Sequence, residues 1–327
     1  MTNGMKSTDV PKSKPSLTDD FLKLCFYLVL EVFRLLPFLW ALRGLRLLGW
    51  LWYYVVPEAG RQSMRWVEAS LPASTTESIR RWTAREQVIN SLTRKFASDL
   101  MMIHDASEYS SLIQVEGWEH VQKAVERGNG VVLLTTHVGI PRLLRWYLRT
   151  LDYHVCYLLK MGLPAAGKHS FRARFGRWHR NRYRLDDDEL FGQEEFSVQY
   201  LKKAYRHLKQ NGLVNIAGDG SSGDRRIPVT ICGRESTFAT GGLSLGLLSG
   251  AAILPCFTML DSSPQFRLVI QCPLQDNQGA GREQQLESML SDYVARIEAY
   301  IRQNPTNVFR PLYLSLENSV ELKDSRL

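Results

Sequence analysis

Gly130-Val131-Val132-Leu133-Leu134-Thr135-Thr136-His137-Val138-Gly139-Ile140-Pro141-Arg142 contains a change of hydrophobic period, and that change decides the fold. Val131 to Leu134 is a continuous apolar run opened by Asn129-Gly130, the pattern of a strand buried on both faces. Beyond Pro141 the apolar residues Leu143, Leu144, Tyr147, Leu148 and Leu151 fall at helical spacing. Proline is well tolerated in a first helical turn, where its missing N–H has no partner to lose. His137 therefore stands on the lip between a strand and a helix. A neutral imidazole there can take a proton from a hydroxyl, and nearby amides such as that of Gly139 can steady an oxyanion or hold a phosphate. The plainer alternative is a solvent-facing loop histidine.

The same alternation continues outward. Ser74 to His104 reads as one or two helices, with a capping-box-like start at Ser74-Thr75-Thr76-Glu77 and a stripe of Ile79, Trp82, Val88, Ile89, Leu92 and Phe96. A strand over Leu112–Val115 and a helix over Trp118–Glu126 precede the central stretch. After it come a strand over Val155–Leu159, a helix over Glu194–Asn211, a strand over Leu213–Ala217 and a glycine-rich helix over Thr240–Gly250. Strands over Ile253–Met259 and Phe266–Gln271 and an amphipathic helix over Glu283–Gln303 complete the pattern. Strands alternating with helices predict an α/β fold, a mainly parallel central sheet flanked by helices. In such sheets the sites form outside the carboxyl ends of the strands. His137 occupies one such end and Asp219 another.

The chain has 327 residues and a formal charge of +8, which points to an anionic partner: a membrane surface, a phosphorylated substrate or nucleic acid. Its five cysteines show no C-x-x-C spacing, which argues against a disulfide framework and a structural zinc site and fits a reducing, cytoplasmic-side setting. Residues 1–20 are polar and read as a disordered tail. Residues 21–57 are dense in Leu, Phe, Trp and Tyr but interrupted by Lys23, Glu31, Arg34, Arg43 and Arg46. The longest uncharged run, Leu47 to Pro57, falls short of the roughly 18 residues of a spanning helix. Two helices broken near Pro37 and Gly44, with snorkelling arginines and the belt Trp50-Leu51-Trp52-Tyr53-Tyr54, suit association with a bilayer interface. Residues 58–316 form the expected α/β domain and 317–327 a C-terminal tail.

Two further stretches carry candidate chemistry. Lys168 to Arg184 contains six arginines and one lysine, among them Arg172, Arg174 and Arg177, whose planar forks match phosphate geometry. A solvated helix face explains it equally well, and Asp186-Asp187-Asp188-Glu189 follows directly. No nucleic-acid motif accompanies the run, so nucleic acid is not an expected partner. The second stretch is Ala217-Gly218-Asp219-Gly220-Ser221-Ser222-Gly223-Asp224. Here flanking glycines, Gly220 among them, let the backbone approach a ligand, and Asp219 can act as an acid partner or orient a hydroxyl. Turns use the same residues. Neither a nucleotide-binding glycine motif nor a G-x-S-x-G elbow is present, so no cofactor and no serine-hydrolase chemistry are expected.

Val115-Glu116-Gly117-Trp118-Glu119, followed by Gly130 to Gly139, resembles the core of the lipid A biosynthesis acyltransferases, the late acyltransferases. The resemblance continues in Gly218-Asp219-Gly220, in Ile227 to Gly242 and in Ile297 to Phe309, where Phe309 stands in place of a usual tryptophan. It covers most of Leu35 to Leu314. It implies an enzyme on the cytoplasmic face of the inner membrane that moves an acyl chain from acyl carrier protein or coenzyme A to a lipid hydroxyl. The acceptor is a lipid A precursor or a related glycolipid or phospholipid. The family's mark is a His followed five positions later by Asp or Glu; here that position is Arg142. The carboxylate would orient the imidazole and stabilise the imidazolium. Two readings follow. In one, another acid, with Asp219 the first choice, replaces it, and Arg142 with Arg172, Arg174 and Arg177 serves substrate binding. In the other, the chain is a catalytically impaired relative that binds lipid.

Overall fold

A computed structural model describes residues 28–140, 142–151, 153, 155–158, 190–191, 198–219, 225–261, 265–275, 279 and 281–308. The stretch that opened the sequence reading forms strand β2 (Val131–Thr135), buried at every position, as its lack of polar alternation requires. It lies at the centre of a seven-stranded sheet. On one side of β2 runs β5 (Leu213–Ala217), then β3 (Val155–Leu158) and the short β4 (Leu190–Phe191). On the other runs β8 (Ala252–Leu260), then β9 (Phe266–Ile270) and β1 (Ile113–Glu116). Neighbours are parallel except β8 and β9, which run antiparallel. The expected mainly parallel α/β fold is the observed one.

Side chains of β2 alternate between two cores, as the period of a strand demands. Val132 and Leu134 join Val214, Ile216 and Ile253 beneath helices α7 (Val198–Lys209), α8 (Gly241–Ser249) and α9 (Arg282–Gln303). Val131 and Leu133 join Leu213, Leu254 and Leu268 beneath α5 (Trp118–Glu126) and α6 (Leu143–Thr150). A third core unites α1 (Phe38–Val55) and α3 (Glu77–Ile103) with the site loop. Phe38, Leu42 and Leu45 meet Phe96 and Leu100, and through them Ile140, Leu143 and Trp146. Between α1 and α3 lie α2 (Pro57–Ser70) and a turn, and α4 (Ala106–Tyr109) follows α3.

Several boundaries differ from the sequence reading. Residues 28–33 are helical and the chain breaks at Pro37, as expected, but Gly44 lies inside α1 rather than at a break. There the missing Cβ makes room for the Phe33 ring, and the second interruption falls at Val56-Pro57 instead. The Ser74-to-Glu77 capping box does not form. Thr76 is the N-cap and makes no side-chain cap bond, and α3 runs unbroken from Glu77. The helix after the site begins at Leu143, later than expected. The stretch Ile227–Gly242 contains a hairpin the sequence reading did not separate: β6 (Arg226–Ile231) pairs antiparallel with β7 (Arg234–Ala239). Cys232 and Gly233 turn it with φ of 50° and 74°, the conformation that two-residue hairpin loops require.

Among the described residues no helix is long and apolar enough to cross a membrane. Yet α1 is apolar on both faces. Phe38, Ala41, Leu42, Leu45 and Gly49 are buried, whereas Trp40, Leu47, Trp50, Leu51 and Tyr54 are exposed on the other side. Leu28, Val32 and Leu35, just before the break, are exposed too.

Candidate active site

His137 and Asp219 meet because their strands are neighbours in register. Thr135 of β2 aligns with Ala217 of β5, and each functional residue lies two positions beyond that pair, on the carboxyl lip of the sheet. His137 Nδ1 is 2.8 Å from Asp219 Oδ1, and the His137 backbone N–H donates to Asp219 Oδ2 at 2.6 Å. Both carboxylate oxygens are thus engaged by one residue. The Asp219 side chain is fully buried, while 37% of the His137 side chain remains exposed. With a carboxylate as partner, Nδ1 carries the proton and donates, which leaves the Nε2 lone pair as the base.

The lip is braced by five residues from other parts of the chain. Gly218 N–H donates to Thr135 O at 2.8 Å, and the buried Tyr293 hydroxyl of α9 donates to the same oxygen at 3.0 Å. Gly139 N–H donates to Asn307 O at 2.8 Å, and Ile140 N–H to Thr258 Oγ1 at 2.7 Å. Asn307 also grips the main chain of Leu260 at the end of β8 through both amide atoms. From α3, Arg94 Nη1 donates to His137 O and to Gly139 O, each at 3.1 Å. Gly139 has φ of 76°, and a Cβ there would fall 1.5 Å from Thr258 O, so only glycine fits this turn.

The electrostatics follow from these contacts. Burial is the largest influence on His137 and disfavours its charged form. The hydrogen bond and the charge of Asp219 oppose it, and Arg94 sides with burial. The balance leaves the imidazole more basic than an ordinary histidine. Burial pulls the Arg94 guanidinium down to about 10 against the attraction of Asp219, so it remains a cation at neutral pH. Burial, then the charge of Asp219, holds the Tyr293 proton far more tightly than usual.

Arg142, the residue at the family's acid position, does not face the imidazole. Its Nη1 pairs with Asp99 Oδ1 of α3 at 3.2 Å, and 55% of the side chain is exposed. Of the expected site residues, the structure brings together His137, Gly139 and Asp219 and places Arg142 at the outer edge. Arg172, Arg174, Arg177 and Gly220 lie outside the described residues. The sequence reading missed Arg94, Thr258, Tyr293 and Asn307, which no local spacing links to His137. Among the described residues, no three His, Cys, Asp or Glu side chains gather as a metal site would need.

No curated protein matches the chain. Among solved structures, the chain is similar to the 1-acyl-sn-glycerophosphate (LPA) acyltransferase PlsC of Thermotoga maritima. The match covers 78% of this chain and 97% of that one at 14% identity, with a TM-score of 0.35, a likeness too distant to bear on the fold or the substrate. The family comparison is of another order. The model of the bacterial lipid A biosynthesis acyltransferases matches residues 12–309, so the chain belongs to that family of O-acyltransferases.

Proposed function

We propose that the protein transfers a fatty acyl chain from an acyl carrier protein or coenzyme A thioester to a hydroxyl of a lipid A precursor or a related glycolipid or phospholipid, with His137 as general base. The observation that carries this reading is the His137–Asp219 pair. It supplies, from the neighbouring strand, the carboxylate that the family's local motif would place at position 142. Nε2 takes the proton of the acceptor hydroxyl as its oxygen attacks the thioester carbonyl carbon. Asp219 stabilises the imidazolium that forms. The tetrahedral adduct then expels the thiolate, breaking the C–S bond, and the imidazolium returns its proton to sulfur. An imidazole more basic than usual suits the abstraction of the hydroxyl proton.

The acceptor and the acylated product are membrane lipids, and the exposed face of α1 supports work at a bilayer; the thioester donors belong to the cytoplasmic side. Trp40, Leu47, Trp50, Leu51 and Tyr54 form an outward apolar stripe, and Arg43 sits over the Trp40 ring at 5.5 Å, with its charged head free to reach lipid phosphate. Arg142, Arg172, Arg174 and Arg177 are proposed, from the sequence alone, to hold a phosphorylated headgroup, and Gly220 to give the substrate close backbone approach. The test is a transfer assay on purified protein in detergent or vesicles, using acyl carrier protein and coenzyme A thioesters against lipid A precursors and lysophospholipids. Wild-type turnover abolished by His137→Ala upholds the proposal. Lipid binding without turnover on any thioester overturns it in favour of a non-catalytic lipid-binding protein, the reading that the loss of the acid at Arg142 would then explain.

A further inference from the structure

The geometry points to Arg94 as a positioning residue for acyl transfer, its guanidinium clamping the His137 and Gly139 carbonyls so that the imidazole and Asp219 meet at bonding distance. The inference rests on His137 being the base.

Arginine forks normally serve carboxylates or phosphates. Here one nitrogen spans two main-chain carbonyls two residues apart, one of them belonging to the residue that carries the imidazole. Three other anchors of the loop grip N–H groups. Asn307 holds Gly139, Thr258 holds Ile140 and Asp219 holds His137. Arg94 thus engages the opposite side of the same peptides. Without it, the carbonyls of His137 and Gly139 lose a charged donor, and the ring's orientation rests on the Asp219 contacts alone. The clamp is rigidly mounted. It projects from α3 between Asn90, whose amide donates to Thr306 O, and the buried Phe96. Gln87 one turn earlier donates to Pro305 O, tying the same helix to the turn that holds Gly139.

Charge adds a second consequence. The groups facing the imidazole among the described residues are Asp219 from the β5 lip and Arg94 from α3, with the Tyr293 hydroxyl of α9 on the strand end behind them; Arg142 is diverted to Asp99. Asp219 favours the imidazolium and Arg94 disfavours it. The two neighbours therefore set the protonation of His137 in opposite directions.

The test uses full-length protein with Arg94→Met, Arg94→Lys and Arg94→Ala. Arg94→Met should lower kcat about 10- to 100-fold through misalignment, with KM within about threefold of wild type. Its acid limb of kcat/KM should move up, because burial alone then opposes Asp219. Arg94→Lys keeps the charge and loses the two-carbonyl span. Its acid limb should stay at the wild-type position, with kcat between the other two. Millimolar guanidinium should restore part of the rate of Arg94→Ala. A substrate-free measurement accompanies these: NMR titration of the labelled His137 ring in wild type, Arg94→Lys and Arg94→Met, which should show the same upward move for Met alone. Superimposed titrations of wild type and Arg94→Met, or a defect confined to KM, overturn the inference. If Arg94→Met does not fold, a Lys variant with wild-type kcat overturns it and one with reduced kcat and an unmoved acid limb upholds it. An inactive wild type refutes the acyl-transfer reading instead, and the ring titration still decides whether Arg94 governs His137.

Discussion

Replacing Asp219 by Asn removes one charge and changes almost no volume, so its effect can be worked from the two bonds the carboxylate accepts. Both come from His137: the ring at 2.8 Å and the backbone N–H at 2.6 Å. An amide has one acceptor oxygen and one donor nitrogen, so it cannot satisfy two donors. If its oxygen keeps the backbone N–H, its NH2 faces the ring, which must then present Nδ1 as an acceptor and carry its proton on Nε2. That tautomer cannot take a proton from a hydroxyl. If the amide turns over instead, the buried backbone N–H loses its partner at a cost of about 1–3 kcal/mol. The first arrangement wins, and the whole general-base contribution, about 10²- to 10⁴-fold in kcat, should disappear. The pH signature distinguishes this from simple damage. Asp219 is what raises the His137 pKa; burial and Arg94 remain in the variant and both lower it. The ring titration of His137 should therefore fall at lower pH than in wild type, opposite to the move expected of Arg94→Met. Stability follows the same sign. A folded-state pKa above the unfolded value of about 6.5 stabilises the protein below that pH and ceases to do so as the pH rises through the folded value. The Tm deficit of Asp219→Asn should accordingly widen as the pH falls from above the wild-type folded value toward about 6.5. A rate within threefold of wild type, at an unmoved acid limb, would refute the assignment of Asp219 as the partner of the base.

Arg142→Ala removes an exposed ion pair with Asp99 worth about 0–1 kcal/mol, so thermal melting should barely change. If Arg142 binds substrate phosphate, KM for the anionic acceptor rises while kcat holds; a collapse of kcat would show that it acts on the imidazole after all. Substituting Trp40, Leu47 and Leu51 together by Ser should release the protein from anionic vesicles in a flotation assay without lowering Tm, because all three are already exposed. Retained flotation would place membrane binding elsewhere. Gly139→Ala should prevent folding of the loop and reduce soluble yield, since the added carbon would overlap the Thr258 carbonyl and φ is 76°. A well-folded, active Gly139→Ala protein would contradict the observed turn.

The fully apolar run Val131–Leu134 and the helical spacing after it determined that a buried parallel strand feeds a helix and delivers His137 to a sheet lip. Gly218-Asp219 after Leu213–Ala217 marked a second lip in the same way. These features are local: they depend on side-chain period and on residue types with few conformational options, and a single chain segment displays them. The hairpin at Ile227–Gly242 was less legible because its strands are short and half exposed and its turn uses Cys232 rather than one of the usual turn formers at a positive φ.

Pairing between distant segments was decided only in three dimensions. Sequence could nominate Asp219 as a substitute acid, but strand order places β5 beside β2 in parallel register, and that register brings positions 137 and 219 to 2.8 Å. Arg142 sits five residues from His137 in the chain, yet Asp99 draws it outward. Arg94, Tyr293 and Asn307 reach the site from α3, α9 and the turn after it, where no spacing announces them. The physical reason is common to all three. Hydrophobic period records which face of an element is buried, but hydrogen-bond partners across a core are chosen by how the elements pack, and packing depends on every element at once.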